Sequence, residues 1–107
     1  MTVDQLSSSF EAINIADGGR ELGRLFCCDL LSIAMGRAPE GCVWVTVMSN
    51  VNTLAVASLA DAAVVILAEG QRPDETVRAK AAEQGINLFA TQLPVFEACM
   101  QVKALMD

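Results

Sequence analysis

The chain of 107 residues contains no histidine. Histidine-dependent catalytic triads and imidazole-ligated metal centres are therefore excluded. The phosphate-binding loops of nucleotide hydrolases are also missing. The glycine pairs Gly18/Gly23 and Gly36/Gly41 have the right spacing, but neither is followed by the Lys-Ser/Thr pair that would contact phosphate and Mg²⁺. There is no GxGxxG motif either.

Basic residues are few. Seven Lys and Arg stand against 13 Asp and Glu, which gives a net charge of −6, and no basic stripe is present. Phosphate neutralisation, which drives nucleic-acid binding, is therefore not expected. The longest apolar stretch, 53–68, is interrupted by Ser58 and Asp61 and is shorter than the roughly 20 residues that span a bilayer. With no apparent signal peptide, we expect a cytoplasmic protein that binds neither nucleic acid nor membrane.

Four cysteines occur, without a CxxC pair. Cys27 and Cys28 are adjacent, and in a strand they would face opposite sides of the sheet, so they cannot easily chelate one metal ion. No base or electropositive setting that would activate a thiol is evident. We expect ordinary buried thiols, no metal site and no cofactor.

Apolar residues, in contrast, are abundant. They make up 53% of the chain, and the mean hydropathy is +0.43. The length corresponds to a single domain, residues 1–107, and this apolar content exceeds what one core of that size needs. Surplus apolar surface often marks a self-association face, so we expect a homodimer.

The pattern of apolar runs and turn residues predicts an α/β fold, a single domain with a mainly parallel β-sheet flanked by helices. From about residue 22 the predicted order is βαβαβαβα, and such alternation is typical of parallel sheets. The strongest segment is 41–70, which indicates a strand, a polar corner, a helix and a second strand. The predicted strands are 10–16, 22–28, 42–48, 63–68 and 86–90. The main predicted helices begin near residues 30, 51, 75 and 95, and the third has Asp74 as its N-cap and Gly85 as its C-cap. A short helix is also predicted at the N-terminus, with a capping box between Thr2 and Gln5.

In parallel sheets, ligands bind beyond the carboxyl ends of the strands. The residues predicted at that edge carry hydroxyl, amide or carboxylate groups, or lie in the turn beside one. They are the candidate ligand-binding residues Asp29, Ser32, Ser49, Asn50, Asn52, Thr53, Glu69 and Gly70. The best of them are Asn50 and Asn52, since a helix N-terminus can hold an anion. Capping is the alternative explanation for the two Asn residues and for Asp29, because Asn and Asp are preferred N-caps. For Glu69, a solvated carboxylate is the simple alternative.

Several motifs together resemble the small stand-alone DRTGG-domain proteins. The segments that carry the resemblance lie between about Gly23 and Phe96: Asp29–Ser32, Met35–Gly36, Trp44–Val47, Asn50–Asn52, Ala55–Ala57, Ala60–Asp61, Ile66 and Glu69–Gly70. The D-R-T-G-G string itself does not occur. The resemblance implies an α/β domain similar to the N-terminal domain of HPr kinase/phosphorylase, with a regulatory or dimerising role.

Three functions follow from these observations. The leading one is a non-catalytic, homodimeric regulatory module that binds a small anion or a nucleotide near Asn50 and Asn52. The alternative is an adaptor for a redox or signalling complex, without a small-molecule ligand; the redox (hydrogenase-associated) setting is what the family resemblance implies. The third is an enzyme, for which only scattered carboxylates and hydroxyls offer chemistry.

Overall fold

The structure, a computed structural model, describes residues 1–107. A 3-10 helix, Val3–Ser8, precedes five strands and four helices. The strands are β1 (Glu11–Asn14), β2 (Leu25–Cys27), β3 (Val43–Thr46), β4 (Val64–Leu67) and β5 (Leu88–Ala90). The helices are α1 (Leu31–Arg37), α2 (Val51–Ala60), α3 (Glu75–Gln84) and α4 (Val95–Met106). The predicted alternation from β2 onward is confirmed, with strands shorter than predicted.

The strands form one sheet in the order β1-β5-β4-β3-β2. The pairs β2–β3, β3–β4 and β4–β5 are parallel, and only β1 is antiparallel, against β5. The chain is thus an α/β domain with a mainly parallel sheet flanked by helices. All parallel strands end at the same edge, which is called the carboxyl edge below.

The central strands are covered on both faces. All four residues of β3 and of β4 are buried, as their β-branched, almost continuously apolar sequences predict. Two core clusters result, one on each face. Trp44, Leu54 and Leu88 belong to the first, and Val45, Phe89 and Val102 belong to the second. The sheet is therefore a rigid support for the loops at its carboxyl edge.

Helix ends follow local chemistry. Asp74 caps α3 by accepting a hydrogen bond from the Val77 N–H at 2.9 Å, and Gly85 ends that helix with φ of 70°. These two caps match the sequence-based prediction. The first segment also has its expected capping box between Thr2 and Gln5, although it is a 3-10 helix.

The two edges of the sheet differ in their side chains. At β1, Glu11 pairs with Arg72, and Ile15, directly after the strand, is the one large apolar side chain exposed. At β2 the flanking helices expose apolar side chains: Leu30, Ile33 and Met35 at α1, and Phe96 and Met100 on α4. None of the helices has both the length and the apolar content needed to cross a membrane.

Candidate functional site

The predicted site residues divide into two groups along the carboxyl edge. One group lies where β2 and β3 end and α2 begins: Asp29, Ser32, Ser49, Asn50, Asn52 and Thr53. It is called the β3 corner below. The other consists of Glu69 and Gly70, which follow β4, next to the end of β5. No side-chain hydrogen bond joins the two groups.

Asp29 does not cap α1, contrary to one of its two sequence interpretations. Leu30 holds the N-cap position and makes no side-chain capping bond. Asp29 instead turns toward β3, where its Oδ1 accepts hydrogen bonds from the Thr46 hydroxyl at 2.7 Å and the Val47 N–H at 2.9 Å. Thr46 is fully buried, and its hydroxyl also accepts a hydrogen bond from the Met48 N–H, so the Asp29 carboxylate supplies the acceptor for the hydroxyl proton.

Asn50 is the cap of α2. Its Oδ1 accepts hydrogen bonds from the N–H groups of Asn52 and Thr53, at 2.9 and 3.1 Å. The Thr53 hydroxyl donates to the Met48 carbonyl at 2.7 Å, and this side chain is buried. The amide side chain of Asn52 is exposed and makes no hydrogen bond within the chain. Of the two Asn residues, Asn52 is therefore the one free to contact a ligand.

The two serines of the β3 corner are placed differently. Ser32 is exposed in the first turn of α1. Ser49 directly precedes the α2 cap, and its Oγ atom is buried without a hydrogen-bond partner. A buried hydroxyl without a partner carries a desolvation cost that a bound ligand or water can remove. Ser49 is the one unsatisfied buried side-chain oxygen or nitrogen in the chain.

Glu69 has a structural contact that the sequence did not reveal. Its Oε2 accepts a hydrogen bond from the Val95 N–H at 2.8 Å, so the carboxylate lies at the N-terminus of α4. Glu69 and Gly70 both have positive φ angles, 60° and 74°. A left-handed conformation at a non-glycine residue is uncommon and costs free energy. The contacts around this turn, including the bond between Glu69 and Val95, therefore stabilise its left-handed conformation.

A cavity of about 300 Å³ opens beside that turn. Its lining comes from the start of β1, the turn after β4 and the end of β5, and it includes only one predicted site residue, Gly70. The lining residues are Ser9, Phe10, Glu11, Gly70, Gln71, Arg72, Ala90, Thr91 and Gln92. These residues define the edge cavity. The β3 corner lines no cavity in the fold.

The charged groups of the edge cavity neutralise each other. Arg72 Nη1 and Nη2 donate to the two carboxylate oxygens of Glu11 at 2.7 and 2.6 Å. This bidentate pair lowers the pKa of Glu11 below its usual 4.5 and raises that of Arg72. The sequence did not indicate the pair, because the partners are 61 positions apart and come from different elements.

A second polar centre lies at the opposite, amino edge of the sheet. Asn87 is buried there and uses all its amide hydrogen-bonding groups within the chain. It accepts from the N–H groups of Ala16 and Asp17 and donates to the carbonyls of Asp17 and Ala63. Sequence reasoning missed this residue. Its bonds account for its burial, and its role is to fix the chain after β1.

Three of the four thiols are poorly suited to nucleophilic chemistry. Burial raises the pKa of Cys42 to about 11 and that of Cys99 to about 12, and desolvation also raises the pKa of Cys27. Thiols with such pKa values are protonated at neutral pH. Only Cys42 is fully buried, so the expectation of buried thiols is wrong for the exposed Cys27. No three His, Cys, Asp or Glu side chains cluster to hold a metal ion.

Comparison with known proteins gives a fold likeness. No protein-family model and no curated protein sequence matches the chain. Among solved structures, the chain is similar to the CBS and DRTGG domains of the regulatory region of Clostridium perfringens pyrophosphatase, crystallised with its activator diadenosine tetraphosphate. The TM-score is 0.74 over 91% of this chain, at 18% sequence identity. The chain spans 43% of that protein's chain, and the likeness in fold agrees with the DRTGG resemblance.

Proposed function

We propose that this chain is a non-catalytic regulatory module of the DRTGG type, which binds a nucleotide or another small anion and acts as a homodimer. The observation that carries the ligand part is the β3 corner. There the free amide of Asn52 and the buried, unpartnered hydroxyl of Ser49 flank the N-terminus of α2. Helix N-termini favour anions because of their unpaired N–H groups and the helix dipole.

Two further facts support a regulatory role. The structurally similar protein region is regulatory and was crystallised with a nucleotide activator. In addition, the carboxylates at the carboxyl edge of this chain are engaged in structural bonds, Asp29 with Thr46 and Glu69 with Val95. General acid–base catalysis needs carboxylates that can reach a substrate with suitable pKa values. Asp29 follows β2 and Glu69 follows β4, two strands apart in the sheet, so these two carboxylates do not form such a pair.

A thermal-shift series tests the ligand part. The probes are ATP, AMP, diadenosine tetraphosphate and pyrophosphate. A ligand at about ten times its Kd should raise the Tm by roughly 6 °C, because it stabilises only the folded state. Asn52→Ala should remove the shift, whereas Gln84→Ala, an exposed substitution at the end of α3, should retain it. The ligand part fails if no probe raises the Tm or if Asn52→Ala leaves the shift unchanged.

For the dimer part we propose the β2 edge as the interface. Cys99 of α4 neighbours Cys27 of β2, while Gln101 reaches Ser9 on the other side of the helix. Phe96 lies three residues before Cys99, on the same face of the helix, and Met100 lies four residues after Phe96, so the two side chains form a patch that continues from the β2 side. Phe96 is 70% exposed and Met100 is 52% exposed. Aromatic and Met side chains are enriched at interfaces, and pairing through β2 would cover an open sheet edge.

Sedimentation equilibrium tests this interface. The unmodified chain should be a dimer at micromolar concentration, and the double substitution Phe96→Glu/Met100→Glu should make it a monomer. Leu59→Glu is the matched control, because Leu59 is 78% exposed but lies on α2. A monomeric unmodified chain, or equal dissociation by Leu59→Glu, would contradict the proposed interface.

The second candidate function is an adaptor for a redox or signalling complex. The observation in its favour is Leu59 itself, a large, almost fully exposed apolar side chain away from the proposed dimer interface. An isolated exposed apolar residue is common, so the adaptor ranks second. It predicts no Tm shift with any of the small molecules, together with a partner protein whose binding is lost in Leu59→Glu.

A further inference from the structure

The edge cavity is separate from the β3 corner and has the form of a small ligand site. Its volume of about 300 Å³ lies at the lower end of the range for ligand pockets, which suits a group of nucleoside size. It opens at the carboxyl edge, where parallel sheets bind ligands. Its apolar lining is Phe10 and Ala90, both buried, and seven polar or glycine residues form the rest.

Two side-chain amides in the lining have no assigned structural role. Gln71 and Gln92 are exposed, and neither side chain makes a hydrogen bond within the chain. Most other polar groups of the cavity are engaged: the Thr91 hydroxyl accepts from the Leu93 N–H, and Glu11 pairs with Arg72. The two glutamines therefore offer paired donors and acceptors to a ligand.

The turn after β4 leaves room for the Gln92 side chain. A Cβ atom at Gly70 would approach the Gln92 Oε1 atom to 2.8 Å. The absence of a side chain at Gly70, together with its φ of 74°, lets the Gln92 amide lie against the turn. Glu69 completes the turn in a left-handed conformation. The Gln92 amide thus lies beside this turn, in the wall of the cavity.

The charge of the cavity selects the kind of group it can hold. Glu11 and Arg72 cancel, so the lining has no net charge, in a chain with a net charge of −6. A free phosphate would have to compete with the Glu11 carboxylate for Arg72. An uncharged group rich in donors and acceptors avoids this competition, and the edge of adenine is such a group. A glutamine amide matches it, donating to N7 and accepting from the N6 amino group.

The cavity and the β3 corner are close enough for one nucleotide to reach both. The cavity extends over the ends of β4, β5 and β1, and the corner follows β3, so one to three strand spacings, about 5–14 Å, separate them. A nucleotide is long enough to place its base at one and its phosphates near the other.

We infer that the edge cavity is an adenine-binding subsite, in which Gln71 and Gln92 recognise the base of an adenine nucleotide. The inference rests on the proposed function, since it assigns the base while the β3 corner takes the phosphates. It extends that proposal by naming a second set of residues and the base that they select.

Titrations followed by ¹H–¹⁵N NMR separate the two sites. Adenosine, which has no phosphate, should shift the amide signals of Gly70, Gln71 and Gln92. Pyrophosphate, which has no base, should shift those of Val51 and Asn52. The double substitution Gln71→Ala/Gln92→Ala should weaken the binding of adenosine at least tenfold and leave the affinity for pyrophosphate unchanged. Gln84→Ala, at the amino edge of the sheet, should change neither, and guanosine, which presents two acceptors at N7 and O6, should bind more weakly than adenosine.

Several outcomes would overturn the adenine subsite. They are adenosine shifts outside the cavity, an unchanged adenosine affinity in the double variant, or guanosine that binds as well as adenosine. If pyrophosphate binds at the corner while adenosine fails to bind, the subsite is wrong and the proposed function stands. If adenosine binds in the cavity while pyrophosphate does not bind at all, the subsite is supported and the anion site is wrong.

Discussion

At the β3 corner, the side chains of Asp29, Asn50 and Thr53 form hydrogen bonds with groups in the segment that runs from the end of β3 to the first turn of α2. At the other end of the same edge, the side-chain amides of Gln71 and Gln92 make no hydrogen bond within the chain and line a cavity. The first three side chains stabilise the connection between β3 and α2, and the two glutamine side chains are free to contact a ligand. Polar residues at strand ends can thus serve either purpose, and only their partners distinguish the two.

Removal of the Asp29 carboxylate should produce the largest effect. In Asp29→Ala the fully buried Thr46 hydroxyl and the Val47 N–H lose their acceptor, so we expect a loss of about 2–3 kcal/mol in the free energy of unfolding. Asp29→Asn keeps one acceptor oxygen and should lose less. Urea denaturation measures both. Equal, small losses would mean that the corner is not braced by this carboxylate.

Substitutions of Asn50 and Asn52 should separate the capping of α2 from contact with a ligand. Asn50→Ala removes the acceptor of two α2 N–H groups and should destabilise by about 1 kcal/mol. Asn52→Ala, whose side chain makes no bond, should stay within about 0.5 kcal/mol. The same denaturation experiment compares them. A cost for Asn52→Ala as large as that for Asn50→Ala would remove the distinction on which its assignment as a ligand contact rests.

The smallest effect concerns the ion pair of the edge cavity. Arg72 lowers the pKa of Glu11, so the ionised carboxylate is favoured by folding, and this contribution is lost as pH falls through that lowered pKa. NMR titration of the Glu11 carboxyl should give a value below 4.5 in the unmodified chain. It should return toward 4.5 in Arg72→Gln, while Lys80→Gln, a substitution on α3, should not change it. A normal Glu11 pKa in the unmodified chain would show that the pair does not form in solution.

Much of the fold could be predicted from the sequence because its signals are local. The apolar, β-branched segments 42–48 and 63–68 contain the observed β3 and β4, and Asp74 and Gly85 delimit α3 as predicted. The strand ends were less predictable, since pairing with neighbours decides where a strand stops. The short helix predicted at the N-terminus is present as a 3-10 helix.

The candidate site was predictable only as a region. The topology of a parallel sheet placed the predicted residues at its carboxyl edge, but local patterns could not tell that Asp29 would turn to Thr46 instead of capping α1. Arg72, Gln71 and Gln92 were overlooked, because each lies in a turn where polar residues are ordinary. Their significance comes from β1, which closes the cavity from a distant part of the sequence.

By itself, the sequence determined the α/β class, the order of the elements, the absence of imidazole chemistry and the set of polar groups near the strand ends. Those properties depend on composition, on periodicity and on residues a few positions apart. The tertiary structure decided which of the polar groups are already hydrogen-bonded, where a cavity opens and which edge of the sheet exposes apolar side chains. The reason is that a polar group is free or satisfied according to partners such as Asp29 with Thr46 or Glu11 with Arg72, which are 17 and 61 positions apart and meet only in the folded chain.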